Sequence, residues 1–338
     1  MKLLTYQIKN ENDEHFGVLI GDKAVSFAIL QKSAQRNFPD LSDSLTYCKC
    51  LPASMEHAKE LQEFAIAHQS EVADYFQNLS SVKILPPIHP PAMLDFGLTP
   101  KHLANSALTL LKHEFGKAIA FFAGLFIKSR FKRLTSLAFL PYYKCNHNAV
   151  IGDGDEINWP PYTSYLDIEP ELGVVVGNDK AEIAGYTIFN DASARDVQFW
   201  EMIGSGPARS KDFDRSNGLG PFLVTPDEIP APLSLEVEVK IGDRYLWRGS
   251  TSEYIRTPAE VVHYLKSVFT PQPGTVLGMG TVPGCTGLDN DLWVNPGESV
   301  VITFDKLGEL HQQIPANPGR LLPTRWRKRK ELEAFYKN

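Results

Sequence analysis

The stretch Tyr165-Leu166-Asp167-Ile168-Glu169-Pro170-Glu171-Leu172-Gly173-Val174-Val175-Val176 decides how this 338-residue chain folds. Its second half is an apolar run of strand length, and its first half alternates acids with other residues. Side chains on a strand alternate faces, so the pattern predicts Asp167, Glu169 and Glu171 on one face. Carboxylates grouped in this way repel unless something positive sits among them. Hard oxygen donors of this kind suit Mg²⁺, Mn²⁺ or Ca²⁺. An exposed edge strand with solvated acids is the other reading of the segment by itself. Pro170 inside the run points to an edge strand or a bulge.

Downstream, strand-like runs dominate: Leu172 to Val176, Ala184 to Phe189, Leu235 to Ile241 and Ser299 to Phe304. Turn residues separate them, as in Gly242-Asp243 and Asn295-Pro296-Gly297. Thr257-Pro258-Ala259-Glu260 opens a short helix, Val261 to Val268, with Glu260 at a capping-box position. The end of the second strand carries Asn190-Asp191-Ala192-Ser193-Ala194-Arg195-Asp196-Val197-Gln198. Asp191 there is a candidate third carboxylate ligand, and Arg195 and Gln198 share a face if the segment is helical. An ion pair between Asp191 and Arg195 is the structural alternative. Lys211 precedes the bend Gly218-Leu219-Gly220-Pro221 and can reach a bound anion, although a surface-loop lysine is the default reading. The loop Gly278-Met279-Gly280-Thr281-Val282-Pro283-Gly284 lets backbone N–H groups approach a ligand.

Upstream, residues 1–30 read as short strands, with a hairpin turning at Gly21-Asp22. Residues 54–77 carry apolar residues at spacings of three and four, a helical pattern. Pro86-Pro87-Ile88-His89-Pro90-Pro91 breaks any regular element and marks a boundary. The chain is therefore expected to divide into a small β-containing N-terminal domain, 1–85, and a larger domain, 86–338. Thr99 as N-cap and Pro100 at N1 start a long helical segment. The apolar run Ala118 to Ile127 is too short to span a bilayer. It reads as a buried helix with a solvated basic end at Lys128, Arg130, Lys132 and Arg133; a lid or membrane-surface segment is the alternative. The basic tail Arg325 to Lys330 reads as a solvated helix end.

Composition excludes several classes. With 34 Lys and Arg against 40 Asp and Glu, the formal charge is −6, which argues against a nucleic-acid partner. Four cysteines, Cys48, Cys50, Cys145 and Cys285, are too few for a disulfide scaffold and are expected as free thiols. The N-terminus turns polar by Lys9-Asn10-Glu11, and with no signal-peptide or transmembrane stretch the expectation is a soluble, cytoplasmic protein.

Taken together, the motifs resemble the fumarylacetoacetate hydrolase family from about Pro87 to Ile314. They comprise the Asp-x-Glu-x-Glu-Leu strand, the segment Gly185 to Gln198, Lys211 with its downstream Gly-Leu-Gly-Pro, and the Gly278 to Gly284 loop. The resemblance implies an α+β, mainly β fold: a mixed β-sandwich roll with a small N-terminal domain. It implies Asp95, Glu169, Glu171 and Asp191 as ligands for Mg²⁺, with Mn²⁺ and Ca²⁺ as alternatives, and Lys211 beside the metal. Arg195, Gln198, Tyr143 and Thr281 are implied substrate contacts. His102, seven residues after Asp95, matches the general base of the family's carbon–carbon hydrolases, and Asp289 stands where those enzymes have a Glu that orients it. The implied activity is metal-dependent cleavage of a carbon–carbon bond in a 1,3-diketo or acylpyruvate-type acid, with a keto-acid substrate and a homodimeric assembly. Decarboxylation, isomerisation or hydration of 2-oxo acids is the alternative, and a non-catalytic binding protein of the same fold is a third reading. The arginine and tyrosine that grip the substrate in the name-giving enzyme have no match here; Leu111 and Met202 stand near those places.

Overall fold

The computed structural model describes residues 1–9, 11–133, 139–204, 206–229, 231–319 and 325–335. The N-terminal unit runs β1 (Lys2–Ile8), β2 (Glu14–Ile20), β3 (Lys23–Ser26), α1 (Phe27–Ser33), α2 (Ser44–Lys49), α3 (Ala53–Ala67), β4 (Gln77–Asn78) and β5 (Val82–Ile84). After the proline stretch come β6 (Met93–Phe96), α4 (Pro100–Phe115), α5 (Lys117–Lys132), β7 (Tyr142–Cys145) and β8 (Val150–Ile151). The acidic segment and its neighbours form β9 (Leu166–Asp167), β10 (Pro170–Val176), β11 (Ile183–Asp191), β12 (Ser193–Ala194), α6 (Arg195–Gly204) and β13 (Asn217–Val224). The chain closes with β14 (Glu236–Ile241), β15 (Tyr245–Ser250), α7 (Pro258–Val268), β16 (Val276–Thr281), α8 (Gly287–Asn290), β17 (Ser299–Phe304), β18 (Gly308–Gln313) and α9 (Arg329–Phe335).

Among the described residues, 12 strands form one sheet in the order β4-β3-β2-β1-β13-β11-β10-β16-β6-β7, with β5 on β1 and β8 on β13. A second sheet, β15-β14-β17-β18, packs on one face of the first. This is an α+β, largely β sandwich with a small N-terminal subdomain, whose β1 pairs with β13 at Lys2↔Val224 and Leu3↔Leu223. Neighbouring residues enter different cores. Leu172, Val174, Ile188 and Leu277 face the four-stranded sheet, whereas Val175, Phe189, Leu223 and Val276 join Phe27, Leu30, Tyr47 and Leu61 of the N-terminal helices. Strands covered on both faces read as unbroken apolar runs, which is why Val174-Val175-Val176 shows no polar alternation.

Several local expectations change in the structure. The acidic segment is two strands, because ladder pairing lapses at Ile168 and Glu169. Pro170 lies on neither an edge strand nor its own bulge but opens β10 in the middle of the sheet, and the first residue of a strand also tolerates a missing N–H. The register shift falls between Glu171 and Gly173 against β16, on the glycine-rich strand. Residues Gly278 to Thr281 accordingly lie in a strand. The helix of residues 54–77 stops at Ala67. Thr99 precedes α4 but its hydroxyl donates to the Thr281 carbonyl at 2.8 Å, leaving the helix without a side-chain cap. The run 118–127 is helical but not buried: among the described residues α5 packs chiefly on α4. The tail is only partly solvated: Trp326 and Arg327 are buried, and Lys328 Nζ reaches the carbonyls of His113 and Glu114 at the end of α4. All four cysteines are free thiols. No helix among the described residues is long and apolar enough to cross a membrane.

Candidate active site

Three carboxylates arrive from three strands of the large sheet. Asp95 sits near the end of β6, Glu171 at the start of β10 and Asp191 at the end of β11. Each lies an even number of residues from an apolar member of the helix-covered core: Asp95 two from Met93, Glu171 four from Val175 and Asp191 two from Phe189. Strand periodicity therefore aims all three at one side of the sheet. One oxygen from each lies within 4.8 Å of the others.

Between β10 and β6 runs β16, whose glycines make the convergence possible. A Cβ on Gly278 would stand 2.5 Å from Glu171 Oε2. Gly280, at φ +98°, donates its N–H to the same oxygen at 2.9 Å, and Thr281 Oγ1 bonds Glu171 Oε1 at 3.2 Å. The loop N–H expected to meet a ligand thus serves a carboxylate. Tyr143, opposite Asp95 on β7, donates its hydroxyl to Asp191 Oδ2.

The trio has too little positive charge around it. Burial and the charge of Asp191 push the Asp95 carboxyl up to about 8. Burial, with Asp95 close by, holds Glu171 well above the usual range, and burial raises Asp191 despite Lys211. Asp95 Oδ1 and Asp191 Oδ1 are buried without a hydrogen-bond partner. Buried, oxygen-only, mutually repelling donors with two orphaned oxygens match what a hard divalent cation requires.

Glu169 is surrounded differently. Its carboxylate meets Lys211 Nζ, Arg195 Nη2 at 2.7 Å, His102 Nε2 at 3.2 Å and Ser193 Oγ at 3.1 Å. Burial would raise this carboxyl, but Arg195 and Lys211 together hold it well below the usual range. Lys211 Nζ also reaches Asp191 Oδ2 at 2.5 Å, so the lysine bridges Glu169 and the trio. Asp167 points elsewhere: it takes Arg195 Nε at 2.9 Å and the N–H groups of Gly287 and Leu288 at 2.7 and 2.9 Å. The one-face expectation for Asp167, Glu169 and Glu171 fails because the strand breaks between them. Arg195 pairs with Asp167 and Glu169, not with Asp191, and its Nη1 donates to Gln198 Oε1 at 2.9 Å, the shared helical face expected from their spacing.

His102, in the first turn of α4, lies between two acids. Nδ1 is 3.0 Å from Asp289 Oδ1 and Nε2 is 3.2 Å from Glu169 Oε1. Asp289, shorter than the Glu expected there, reaches because α8 carries it close, and Gly284 N–H holds its other oxygen at 2.7 Å. Burial would lower the His102 pKa, but Asp289 and Glu169 outweigh it and push it up to about 9.

These groups open into a cavity of about 680 Å³ that Asp95, His102, Glu169, Glu171 and Lys211 line. Gln198, Tyr143 and Thr281 border it as well, and Leu103, Phe131, Pro141 and Met202 supply apolar wall. Arg195 lies behind that wall, fully buried. Sequence reasoning missed Ser193, although it lies inside the quoted segment, and Ser106, whose hydroxyl is 3.2 Å from His102 Nε2. Ser106 follows His102 by four residues, the helical spacing that brings side chains together. Phe131 carried no local signal.

Comparisons with known proteins agree with this architecture. The family model described as "Fumarylacetoacetate (FAA) hydrolase C-terminal" matches residues 130–315. An uncharacterized protein of Staphylococcus aureus (strain USA300) is 26% identical over 333 residues, covering 93% of this chain and 99% of its own. Among solved structures, 2-keto-3-deoxy-D-arabinonate dehydratase complexed with magnesium and 2,5-dioxopentanoate is 21% identical with a TM-score of 0.62, covering 94% of this chain and 100% of that one. Maleylpyruvate hydrolase from Sphingobium sp. SYK-6, in complex with manganese(II) and pyruvate, is 17% identical at 0.62, covering 93% and 99%. A 5-carboxymethyl-2-hydroxymuconate delta-isomerase from Mycobacterium smegmatis is 20% identical at 0.61, covering 95% and 100%. At these identities the solved structures establish a common fold.

Proposed function

The chain belongs to the fumarylacetoacetate hydrolase family, and from that premise we propose that it is a divalent-metal-dependent enzyme of 2-oxo acids that works through an enolate. The carrying observation is the convergence of Asp95, Glu171 and Asp191, short of counter-charge, beside a cavity of about 680 Å³ that Asp95 and Glu171 line. Those three side chains would hold Mg²⁺ or Mn²⁺, with Glu169 as the adjoining fourth carboxylate. A cation held there would polarise the oxygens of a 2-oxo acid and stabilise negative charge developing on them.

The protein's own groups supply the rest. Lys211 adds a fixed positive charge beside the trio, without reorganisation at the moment of reaction. Tyr143 and Thr281 orient Asp191 and Glu171, and the Gln198 amide borders the substrate space. Arg195, wholly buried, acts through Glu169 and Gln198. His102 meets a carboxylate at each ring nitrogen, the arrangement that suits a ring holding both protons. It is therefore a proton donor, delivering the Nε2 proton to the substrate carbon or leaving group while Asp289 stays on Nδ1.

A proton-donating His102 favours decarboxylation, isomerisation or dehydration–hydration of the 2-oxo acid, each of which needs an enolate and a delivered proton. Hydrolytic carbon–carbon cleavage is the second reading, supported by the His102–Asp289 contact; it requires the ring to lose a proton before it can activate water. Metal-loaded protein incubated with 2-oxo acids, 1,3-diketo acids and acylpyruvates, with products read by mass spectrometry and NMR, separates the two. Loss of carbon dioxide or water, or a moved double bond at unchanged mass, supports the main reading. Two acid fragments support hydrolysis, with His102→Ala abolishing it. Metal binding without turnover of any of these substrates rejects both and leaves a binding protein.

A further inference from the structure

Helix α5 packs on α4 through a strip of half-buried residues, Ala120, Ala123, Gly124, Ile127 and Phe131. A Cβ on Gly124 would lie 3.3 Å from Leu108 of α4, so the helices approach closely there. Among the described residues nothing covers the rest of α5: Ile119, Phe121, Phe122, Leu125 and Phe126 are each between 51 and 75% exposed. Five large apolar side chains on one exposed helix are more than scattered surface residues, and call for a binding surface.

Charge around this ridge is one-sided. From Phe115 to Gly152 the sequence has no Asp or Glu, in a chain whose net charge is −6. Lys117 begins α5, and Lys128, Arg130, Lys132 and Arg133 crowd its end. Where α5 crosses the start of α4, Pro100, Lys101, Ala104, Asn105, Lys128 and Lys132 enclose a hollow of about 350 Å³. Lys101 in that hollow is paired with Glu253 at 2.8 Å.

We propose that α5 docks this protein on an anionic phospholipid surface, the phenylalanine and leucine ridge entering the acyl boundary and the lysine-lined hollow facing lipid phosphate. An apolar helix side beside Lys and Arg is the make-up of helices that lie in the membrane interface. At 16 residues the helix is about 24 Å long, fit to lie along a bilayer and too short to cross it. A second copy of the chain fits less well. A two-fold contact sets a surface against itself, and α5 has no acid to meet its own basic residues, so like charges would face each other. The docking helix borders the cavity from its other side, because Phe131, in the strip packed on α4, also lines the cavity.

The test uses the full chain with vesicles of phosphatidylcholine alone or with one third phosphatidylglycerol, followed by co-sedimentation. Binding is expected to be about tenfold or more tighter to the anionic vesicles, and to be lost at about 1 M salt. The paired change Phe122→Ser with Phe126→Ser is expected to weaken it about tenfold or more, as is Lys128→Glu with Lys132→Glu. These side chains are exposed, so the circular dichroism spectrum and Tm are expected to hold. Separately, Phe126→Trp is expected to shift its emission to the blue on anionic vesicles. Equal binding to both vesicle types, no binding, or binding that the serine pair leaves unchanged overturns the proposal. So does a change from dimer to monomer in the serine pair without vesicles, which would assign the ridge to a second copy.

Discussion

Glu169 and the trio Asp95, Glu171 and Asp191 adjoin one another and share one chemistry, yet their electrostatics are opposite. Glu169 is held ionised by Arg195, Lys211 and His102, whereas the three others are pushed towards their protonated forms. Burial penalises all four, so it cannot be what separates them; the placement of three cationic side chains does. Glu169 is supplied with cations on every side, while among the described residues Lys211 at Asp191 is the one cationic side chain reaching the trio, which suits the three to the metal proposed for them.

The comparison breaks first on a neutral replacement. In metal-free protein Glu169→Gln leaves Arg195 and Lys211 without their shared carboxylate, an expected loss of about 3–5 kcal/mol in urea unfolding. Asp95→Asn has the opposite sign. A carboxyl raised from 3.8 to about 8 loses stability as pH rises through that interval and no further above it, so the amide is expected to gain about 1–2 kcal/mol at pH 9, where the whole cost is present. Equal losses for the two variants would end the distinction.

The next effect concerns His102. Its pKa is raised from 6.5 to about 9, so its stabilisation is complete below 6.5 and is lost as pH rises through 9. The rise corresponds to about 3 kcal/mol. The stability difference between metal-free wild type and His102→Gln is therefore expected to be largest near pH 6 and to shrink by pH 9. A difference flat across that range would show that Glu169 and Asp289 do not hold the ring proton.

Metal affinity gives the third and fourth tests, both by calorimetry with Mn²⁺. Asp95→Asn is expected to weaken binding about 100-fold, since it removes a ligand oxygen and its charge. Tyr143→Phe removes only the group that aims Asp191, for an expected weakening of about tenfold. If Tyr143→Phe costs as much as Asp95→Asn, the hydroxyl is itself part of the cation site.

Much of the large sheet was legible because its signals are local. Val174-Val175-Val176 and Ile188-Phe189 are strands buried on both faces, and the Thr257 to Glu260 capping box forms as read, with Glu260 N–H bonded to Thr257 Oγ1. Alternation misled at Asp167, because periodicity assumes an unbroken strand and the pairing partner changes at Ile168 from β12 to β11. The apolar run 118–127 misled in another way: apolar composition predicts burial only when another element arrives to cover it. Here, among the described residues, chiefly α4 does.

By itself the sequence determined which chemical groups are present and the order in which they are strung. Acids in a strand-forming context, a lysine twenty residues after Asp191, a histidine seven after Asp95, and glycines at 278 and 280 were all readable. Tertiary structure alone decided which acids share a cation site and which are neutralised. That choice depends on distances of a few ångströms between segments far apart in the chain, such as Glu169 to Lys211 and Glu171 to Gly280. Coulomb interactions in a buried site vary steeply over such distances, and no spacing along the chain encodes them.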